Sequence, residues 1–203
     1  MKDVKLAVIY YSATGTNYQL AQWAAEAAKN NGVGEVKVLK VKELAPEQAI
    51  AENEDWKKHV EATKNVPEVS LDDLEWADAI IFSTPTRYGN LPSQLQQFLD
   101  TTGGLWFSGK LANKVVSAMT SASNPHGGQE TTLMSLYKTM HHWGAIIAAP
   151  GYTDKAIFEG GGNPYGVSVT AGEDLKDATK SAVAHQVKRT LQIGGWVKNG
   201  LSK

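Results

Sequence analysis

The chain has 203 residues, of which 42% are hydrophobic and 20% charged, so it is long enough to bury a substantial core. It contains no cysteine, which excludes thiolate nucleophiles, disulfides and every cysteine-ligated metal or iron–sulfur site. The formal net charge is −1, and lysine and arginine form no cluster of the kind that binds nucleic acid.

The apolar runs of the sequence are short. The longest, such as "LAVIYY" at 6–11, have the length of a strand and fall far below the ~20 residues of a membrane-spanning helix. Lys2 and Lys5 flank the start of this run, but six apolar residues are few for a signal peptide. We therefore expect a cytoplasmic protein that neither inserts into a membrane nor binds nucleic acid.

Strand-like segments recur along the whole chain. They are predicted at 6–11, 35–41, 77–85, 114–120 and 145–151. Four of them are almost continuously apolar, which is typical of strands covered on both faces of a parallel sheet. The second, "EVKVLKV", mixes valine with lysine, and this indicates a partly exposed edge strand.

Helical patterns lie between these segments and near the C-terminus. Apolar residues that share one helix face are Leu20, Trp23, Ala24 and Ala27; Leu91, Leu95, Phe98 and Leu99; Leu133, Leu136, Tyr137 and Met140; and Ala178, Ala182, Val183, Val187 and Leu191. Pro92 suits a helix start, and Glu173 and Asp174 are predicted to open the last helix on the favourable side of its dipole. The alternation predicts an α/β fold, a doubly wound parallel sheet with helices on both faces.

Two longer connections interrupt this alternation. Residues 42–70 are charged with scattered apolar side chains, including Trp56, and are predicted to be a solvated connection with some helix. Residues 150–172 contain six glycines and two prolines without helical periodicity, which favours a lid or an assembly contact. We interpret the chain as one domain, 1–203.

The candidate site lies in the strand-to-helix loops. Doubly wound sheets bind ligands beyond the carboxyl ends of their strands. The loops to consider are therefore 12–17, 84–92 and 121–129.

The first of these loops, "SATGTN", suits an anion. It enters a helix whose first amides have no internal partner, and Ser12, Thr14, Thr16 and Asn17 can add side-chain hydrogen bonds. Gly15 allows the backbone to come close. Neither the P-loop motif nor the dinucleotide fingerprint is present. The loop is either a site for one terminal phosphate held by neutral donors or a hydroxyl-rich helix cap.

The other two loops suit a planar ring. In the second loop, the residues that could contact a heterocycle are Thr84, Thr86, Tyr88, Gly89 and Asn90. The alternative is an ordinary turn that ends at Pro92. In the third, "SASNPHGGQE", the pair Gly127–Gly128 brings main-chain amides near a ligand. Trp106 and Phe107, flanked by glycines, either offer a stacking wall or cover the core.

Together the loops combine a phosphate site with contacts for a flat ring. This combination favours a mononucleotide with a ring system over a metal site or a catalytic triad, and we expect no metal. Flavin mononucleotide (FMN) fits these parts and supplies redox chemistry that a chain without cysteine lacks.

Four motifs carry a resemblance to a known family. "YYSATGTN", "TPTRYGNLPSQLQQFLDTTGGLW", "HGGQE" and "GGNPYG" resemble the flavodoxin-like NAD(P)H:quinone oxidoreductases of the WrbA type. The resemblance implies a five-stranded parallel sheet in the order 2-1-3-4-5 with one FMN per chain. It also implies a homotetramer, or a dimer, with active sites near subunit boundaries, and two-electron transfer from NADH or NADPH to a quinone.

The resemblance also implies roles for individual residues. FMN contacts are implied for Ser12, Ala13, Thr14, Gly15, Thr16, Asn17, Thr86, Arg87, Tyr88, Ala122, Ser123, Asn124, Pro125, His126, Gly127 and His142. Trp106 and Thr14 are implied to bind the substrates, and nicotinamide and quinone are implied to occupy one pocket alternately. His142 is implied to be catalytic, hydrogen-bonding the quinone or donating a proton, although "HHW" at a helix end also suits a simple cap.

Two other functions fit an FMN-binding chain of this kind. One is a flavodoxin-type electron carrier, and the other is a regulatory protein that binds FMN without turnover. Carriers tend to be strongly acidic because opposite charge speeds their encounter with basic partners. The net charge of −1, Trp106 and the 150–172 connection favour the enzyme.

Overall fold

The computed structural model describes residues 3–172 and 175–201. Glu173 and Asp174, predicted to open the last helix, lie outside these ranges. In chain order the elements are β1 (Lys5–Tyr10), α1 (Thr16–Asn30), β2 (Glu35–Lys40), α2 (Glu47–Ala51), α3 (Glu54–Ala62), α4 (Leu71–Trp76), β3 (Ala79–Pro85), α5 (Ser93–Asp100), α6 (Gly103–Phe107), β4 (Val115–Ala122), α7 (Gln129–Trp143), β5 (Ile146–Ile147), α8 (Lys155–Glu159), β6 (Ser168–Thr170) and α9 (Asp177–Leu201).

The sheet is parallel and its order is β2-β1-β3-β4-β5, with β6 also paired to β4. The predicted order 2-1-3-4-5 is confirmed. The predicted exposed edge strand is confirmed as well, because β2 ends the sheet and most of its residues are partly exposed. β3 and β4 are buried along their whole length, as their continuous apolar sequences predict.

The outer strand beside β4 differs from the prediction. Ile146 pairs with Val115 near the start of β4, whereas Ser168 pairs with Thr120 near its end. One predicted strand, 145–151, is thus replaced by two short pieces with an excursion between them. Pro150 has no amide to donate to the ladder, and Gly151, with φ of 57°, turns the chain away.

The composition of 150–172 predicts a loop without helical periodicity. The excursion between the two strand pieces nevertheless contains regular structure. It contains helix α8 and returns to the sheet through β6. Thr120 donates from its backbone amide to the carbonyl of Val167 at 3.0 Å, and the amide of Val167 donates to Oε1 of Gln186 at 2.8 Å. The excursion is therefore packed against both β4 and α9.

The core lies in two layers, one on each face of the sheet. On one face the sheet packs against α1 and α9 through residues that include Leu6, Val8, Ile81, Met119, Leu20, Ala24, Val183, Val187 and Leu191. On the other it packs against α5 and α7 through residues that include Ile9, Phe82, Val116, Leu95, Leu133, Leu136 and Met140. The prediction of helices on both faces is confirmed, while the assignment of 1–203 to one domain stays a prediction. Within the described ranges, no helix is both long and apolar enough to span a membrane.

We expect Gly166→Ala to lower the free energy of unfolding by about 1–3 kcal/mol, the usual range for overpacking. A Cβ at Gly166 would lie 2.0 Å from the carbonyl oxygen of Ala118 on β4, so the excursion would have to move. Urea denaturation measures the change. Gly200→Ala is the control, because a Cβ at Gly200 meets nothing within 4 Å. Equal stability of the two variants would contradict the packing of the excursion on β4.

Candidate active site at the carboxyl edge of the sheet

The loop between β1 and α1 presents unpaired backbone amides. Oγ of Ser12 accepts a hydrogen bond from the amide of Gly15 at 3.0 Å, and Gly15, with φ of 101°, precedes the helix. The amide of Gln19 donates to the carbonyl of Gly15 at 2.9 Å, so the amides of 16–18 have no carbonyl partner within the helix. The first turn carries no acidic side chain. These features make the start of α1 a site for an anion.

Asn17 fixes this loop to the sheet. Its Nδ2 donates to Oγ of Ser121 on β4 at 2.7 Å, and Oγ of Ser83 on β3 donates to its backbone carbonyl at 2.9 Å. The side chain is 2% exposed. Asn17 therefore holds the start of α1 at a set place above two central strands.

The structure brings the three predicted loops together around one pocket of about 280 Å³. The pocket is lined by Ser12, Ala13, Thr14, Thr16, Asn17, Asn53, Trp56, Pro85, Arg87, Ser121, Ser123 and Ala171. Most of these side chains are small, and many carry a hydroxyl. Among these described residues Arg87 is the one charged side chain, so one cation from the second loop faces a set of neutral donors.

The second loop is a tight turn. Arg87 and Asn90 exchange two backbone hydrogen bonds, of 2.8 and 2.9 Å, and Oγ1 of Thr86 accepts from the amide of Gly89 at 3.1 Å. Tyr88 has a φ of 53° and a fully exposed ring. The ring of Tyr88 therefore stands in solvent at the tip of the turn and does not line the pocket.

The third loop is shaped by Asn124. Its carbonyl accepts from the amide of Gly127 at 3.1 Å and from Nε2 of Gln129 at 2.9 Å, and its Oδ1 accepts from the amide of His126 at 3.0 Å. Gly128 has a φ of 87°, and a Cβ there would lie 2.8 Å from Cα of Gly89 in the second loop. The two loops thus touch backbone to backbone.

Apart from His142, which lies on α7, the predicted FMN contacts fall into two groups. Those that line the pocket are Ser12, Ala13, Thr14, Thr16, Asn17, Arg87 and Ser123. Those that belong to the same loops without lining it are Gly15, Thr86, Tyr88, Ala122, Asn124, Pro125, His126 and Gly127. Their roles toward FMN stay predictions.

Sequence reasoning missed Asn53 and Trp56, which line the pocket from the 42–70 connection. Asn53 caps α3, because its Oδ1 accepts from the amides of Asp55 and Trp56. The same helix places His59 beside the first loop, where Nδ1 would lie 3.6 Å from a Cβ on Gly15. Burial lowers the pKa of His59, and the nearby Lys40 ammonium lowers it further. The signal in the sequence was the spacing of three between these polar and aromatic residues.

Glu43 ties the connection to the rest of the chain. Its carboxylate accepts from the hydroxyl of Tyr11 at 3.0 Å, Nε1 of Trp56 at 3.1 Å and Nε2 of Gln94 at 2.8 Å, as well as from two backbone amides. Burial raises the pKa of Glu43, but the hydrogen bonds from the Ala45 amide, Gln94 and Tyr11 outweigh it and hold the pKa below its usual value. Glu43 is therefore an ionised centre that joins β1, α3 and α5.

Trp106 and His142 lie elsewhere. α7 leaves the third loop and runs back along the sheet, rising about 20 Å before it reaches His142. Nε1 of Trp106 donates to the carbonyl of His142 at 2.8 Å, and the amide of Asn113, just before β4, donates to Gly144 at 3.0 Å. Both side chains are thus near the amino ends of the strands. Within one chain they therefore lie apart from the three loops, and their roles toward the substrates and FMN stay predictions.

We expect Glu43→Gln to lower the free energy of unfolding by about 1–3 kcal/mol near pH 7, because hydrogen bonds to a charged acceptor are lost. The pKa of Glu43 is lower in the folded than in the unfolded chain. Its carboxylate therefore stabilises the fold above the ordinary glutamate pKa, and this contribution is lost as the pH falls through the lowered folded pKa.

Urea denaturation from neutral to acid pH measures this difference, which should be largest at neutral pH and shrink in acid. Glu52→Gln is the control, because Glu52 is exposed. A difference that is independent of pH would contradict the role of the Glu43 charge.

Comparison with known proteins identifies the family to which this chain belongs. A model of the NADPH-dependent FMN reductase family matches residues 4–153. An NAD(P)H dehydrogenase (quinone) from Deinococcus radiodurans is 56% identical over 191 residues, which cover 94% of this chain and 95% of that protein. An NAD(P)H dehydrogenase (quinone) from Aromatoleum aromaticum is 40% identical over 175 residues, 84% of each chain.

Among solved structures, a flavodoxin, WrbA-like protein from Agrobacterium tumefaciens is similar with a TM-score of 0.64. The two chains are 20% identical, and the likeness covers 94% of this chain and 98% of the other, so it shows a flavodoxin-like fold. The family model covers most of the sequence, and two relatives match it over most of their length. The chain belongs to the NADPH-dependent FMN reductase family.

Proposed function

We propose that this chain is an FMN-dependent NAD(P)H:quinone oxidoreductase that transfers two electrons from NADH or NADPH to a quinone. The observation that carries the proposal is the convergence of three loops on one pocket at the start of α1. The relative that is 56% identical, named NAD(P)H dehydrogenase (quinone), supports the same reaction.

The residues at this pocket suit FMN. The free amides of 16–18 and the hydroxyls of Ser12, Thr14 and Thr16 would hold the phosphate, and Arg87 adds one positive charge. Thr86, Tyr88 and the loop at 122–127 would contact the flavin. When bound, FMN supplies the redox chemistry, since it takes a hydride equivalent from a nicotinamide and passes two electrons to a quinone.

The protein's part in this reaction is to bind and orient. The hydrogen bonds of Asn17 hold the phosphate-binding turn rigid, and the contact between Gly89 and Gly128 holds the second and third loops together. Nicotinamide and quinone then bind alternately at one place, with the first product leaving before the second substrate enters. Such positioning is what the protein supplies when a cofactor carries the electrons.

We also propose that copies of this chain assemble into a homotetramer or a dimer. Trp106 and His142 lie near the amino edge of the sheet, so they would reach FMN from another copy of the chain. Exposed aromatic rings support an assembly: Phe107 beside Trp106, and the stacked pair Tyr152 and Phe158, whose ring centroids are 4.9 Å apart. In this arrangement Trp106 borders the substrates and His142 hydrogen-bonds the quinone or donates a proton.

We propose a cytoplasmic location, which suits a chain without cysteine. The partners are small molecules, a nicotinamide nucleotide and a quinone.

The reaction is tested by anaerobic mixing. The purified protein should be yellow, NADH or NADPH should bleach the flavin absorbance, and benzoquinone should restore it. A flavin that stays oxidised with both nicotinamides would contradict the enzyme and favour an electron carrier. A chain that acquires no flavin spectrum with added FMN would contradict the cofactor as well.

Trp106→Ala should reduce kcat/KM for quinone at least roughly tenfold, about 1.4 kcal/mol of transition-state stabilisation, while the FMN content stays unchanged. Trp196→Ala is the control, because Trp196 is also exposed but lies on α9. Steady-state kinetics at matched oligomer size measure the effect. Unchanged kinetics in Trp106→Ala would place this side chain outside the substrate pocket.

A further inference from the structure

We propose that helix α3 forms a fourth wall of the FMN site, in which Asn53 and Trp56 contact the phosphate and ribityl part of the cofactor and Glu43 is a positioning residue. This inference rests on the FMN-dependent function proposed above. It gives the 42–70 connection a role in binding that the three sequence motifs do not include.

The two faces of α3 differ in chemistry. The outer face is charged and exposed, with ion pairs from Lys57 to Glu54 at 3.8 Å and from Lys58 to Asp55 at 3.9 Å. The inner face carries Asn53, Trp56, His59, Val60 and Thr63, at spacings of three and four. A helix that only covered a core would present mainly aliphatic side chains there. This inner face is instead mostly polar and aromatic, which suits a ligand.

The inner face lies along the phosphate-binding loop. Asn53 and Trp56 line the same pocket as Ser12, Thr14 and Thr16. One turn further, the ring of His59 lies 5.5 Å from the ring of Tyr18, between centroids. α3 therefore follows the start of α1 over its first turn, and the two walls face one pocket.

Both pocket residues of α3 have groups suited to FMN. Oδ1 of Asn53 is used by the helix cap, whereas its Nδ2 donates to no residue in the described ranges and is free to bond a phosphate oxygen. The indole of Trp56 is partly buried and oriented by its bond to Glu43. It offers an apolar wall that keeps water from the phosphate, which strengthens the hydrogen bonds of the first loop.

Polar contacts hold α3 at both ends. Near its start, Nε1 of Trp56 donates to Glu43, and just past its end, Nζ of Lys40 donates to the carbonyl of Thr63 at 2.9 Å. No residue within the helix is fully buried. The position of this wall therefore depends on Glu43 more than on apolar packing, and Glu43 affects FMN through Trp56.

Asn53→Asp tests the contact with the phosphate. Aspartate caps a helix as well as asparagine does, so the fold is preserved, but its charge repels the phosphate. We expect the Kd for FMN, measured by quenching of flavin fluorescence with apoprotein, to rise at least roughly tenfold, or about 1.4 kcal/mol. The Kd for riboflavin, which lacks the phosphate, should stay unchanged. Added salt should reduce the difference.

Gln48→Glu is the matched control, because it adds the same charge on α2 at a residue that does not line the pocket. Its Kd for FMN should stay close to that of the wild type. Equal Kd values for FMN in Asn53→Asp and the wild type, or equal losses for FMN and riboflavin in Asn53→Asp, would overturn the proposed contact.

Trp56 and Glu43 are tested as a pair. Trp56→Phe and Glu43→Gln should each weaken FMN binding, and the double variant should lose less than the sum of the two, because both changes act through one contact. Trp196→Phe should leave the Kd unchanged. Full additivity of the two losses in FMN binding would overturn the positioning role of Glu43. An unchanged Kd for FMN in Trp56→Phe would overturn the proposed contact between Trp56 and FMN. A wild-type protein that does not bind FMN would instead overturn the proposed function.

Discussion

The backbone amides at the start of α1 have no partner within the helix, and the arrangement of the site follows from this. An anion there is favoured by the amides and the helix dipole without any lysine or arginine in the loop. The parallel sheet supplies the remaining parts, because it brings the carboxyl ends of β1, β3 and β4 to one edge. Asn17 then fixes the start of α1 to β3 and β4 through Ser83 and Ser121.

The two excursions from the sheet, 42–70 and 148–167, have different proposed roles. The 42–70 connection brings α3 beside the loop at 12–17, and the ionised Glu43 holds the connection to Tyr11 and Gln94. The 148–167 excursion packs on β4 and α9 and displays exposed aromatic rings. In the proposed account the first serves the cofactor within one chain, and the second serves the contact between chains, through which Trp106 and His142 reach another copy's flavin.

Local patterns in the sequence predicted the parallel sheet, the helix faces and the three loops, because alternation and periodicity report burial directly. The strand order came from the family resemblance. Local patterns failed where the outcome depends on distant contacts. The break in the outer strand follows from Pro150 and Gly151 together with the fit of Gly166 against Ala118. Asn53 and Trp56 belong to a charged segment, and contacts with distant residues, from Trp56 to Glu43 and from Lys40 to Thr63, hold them at the pocket. The roles of Trp106 and His142 came from the resemblance. The direction of α7 puts these residues near the opposite edge of the sheet, and their roles stay predictions.

Phosphorus NMR of the FMN-loaded protein tests the central claim most directly, because it observes the phosphate itself. Free FMN has a phosphate whose second pKa is about 6, so its resonance shifts as the pH changes around that value. If the amides of α1 and the neighbouring hydroxyls hold the dianion, the bound resonance should keep one chemical shift across this range. A bound phosphate that titrates as free FMN does would contradict the account.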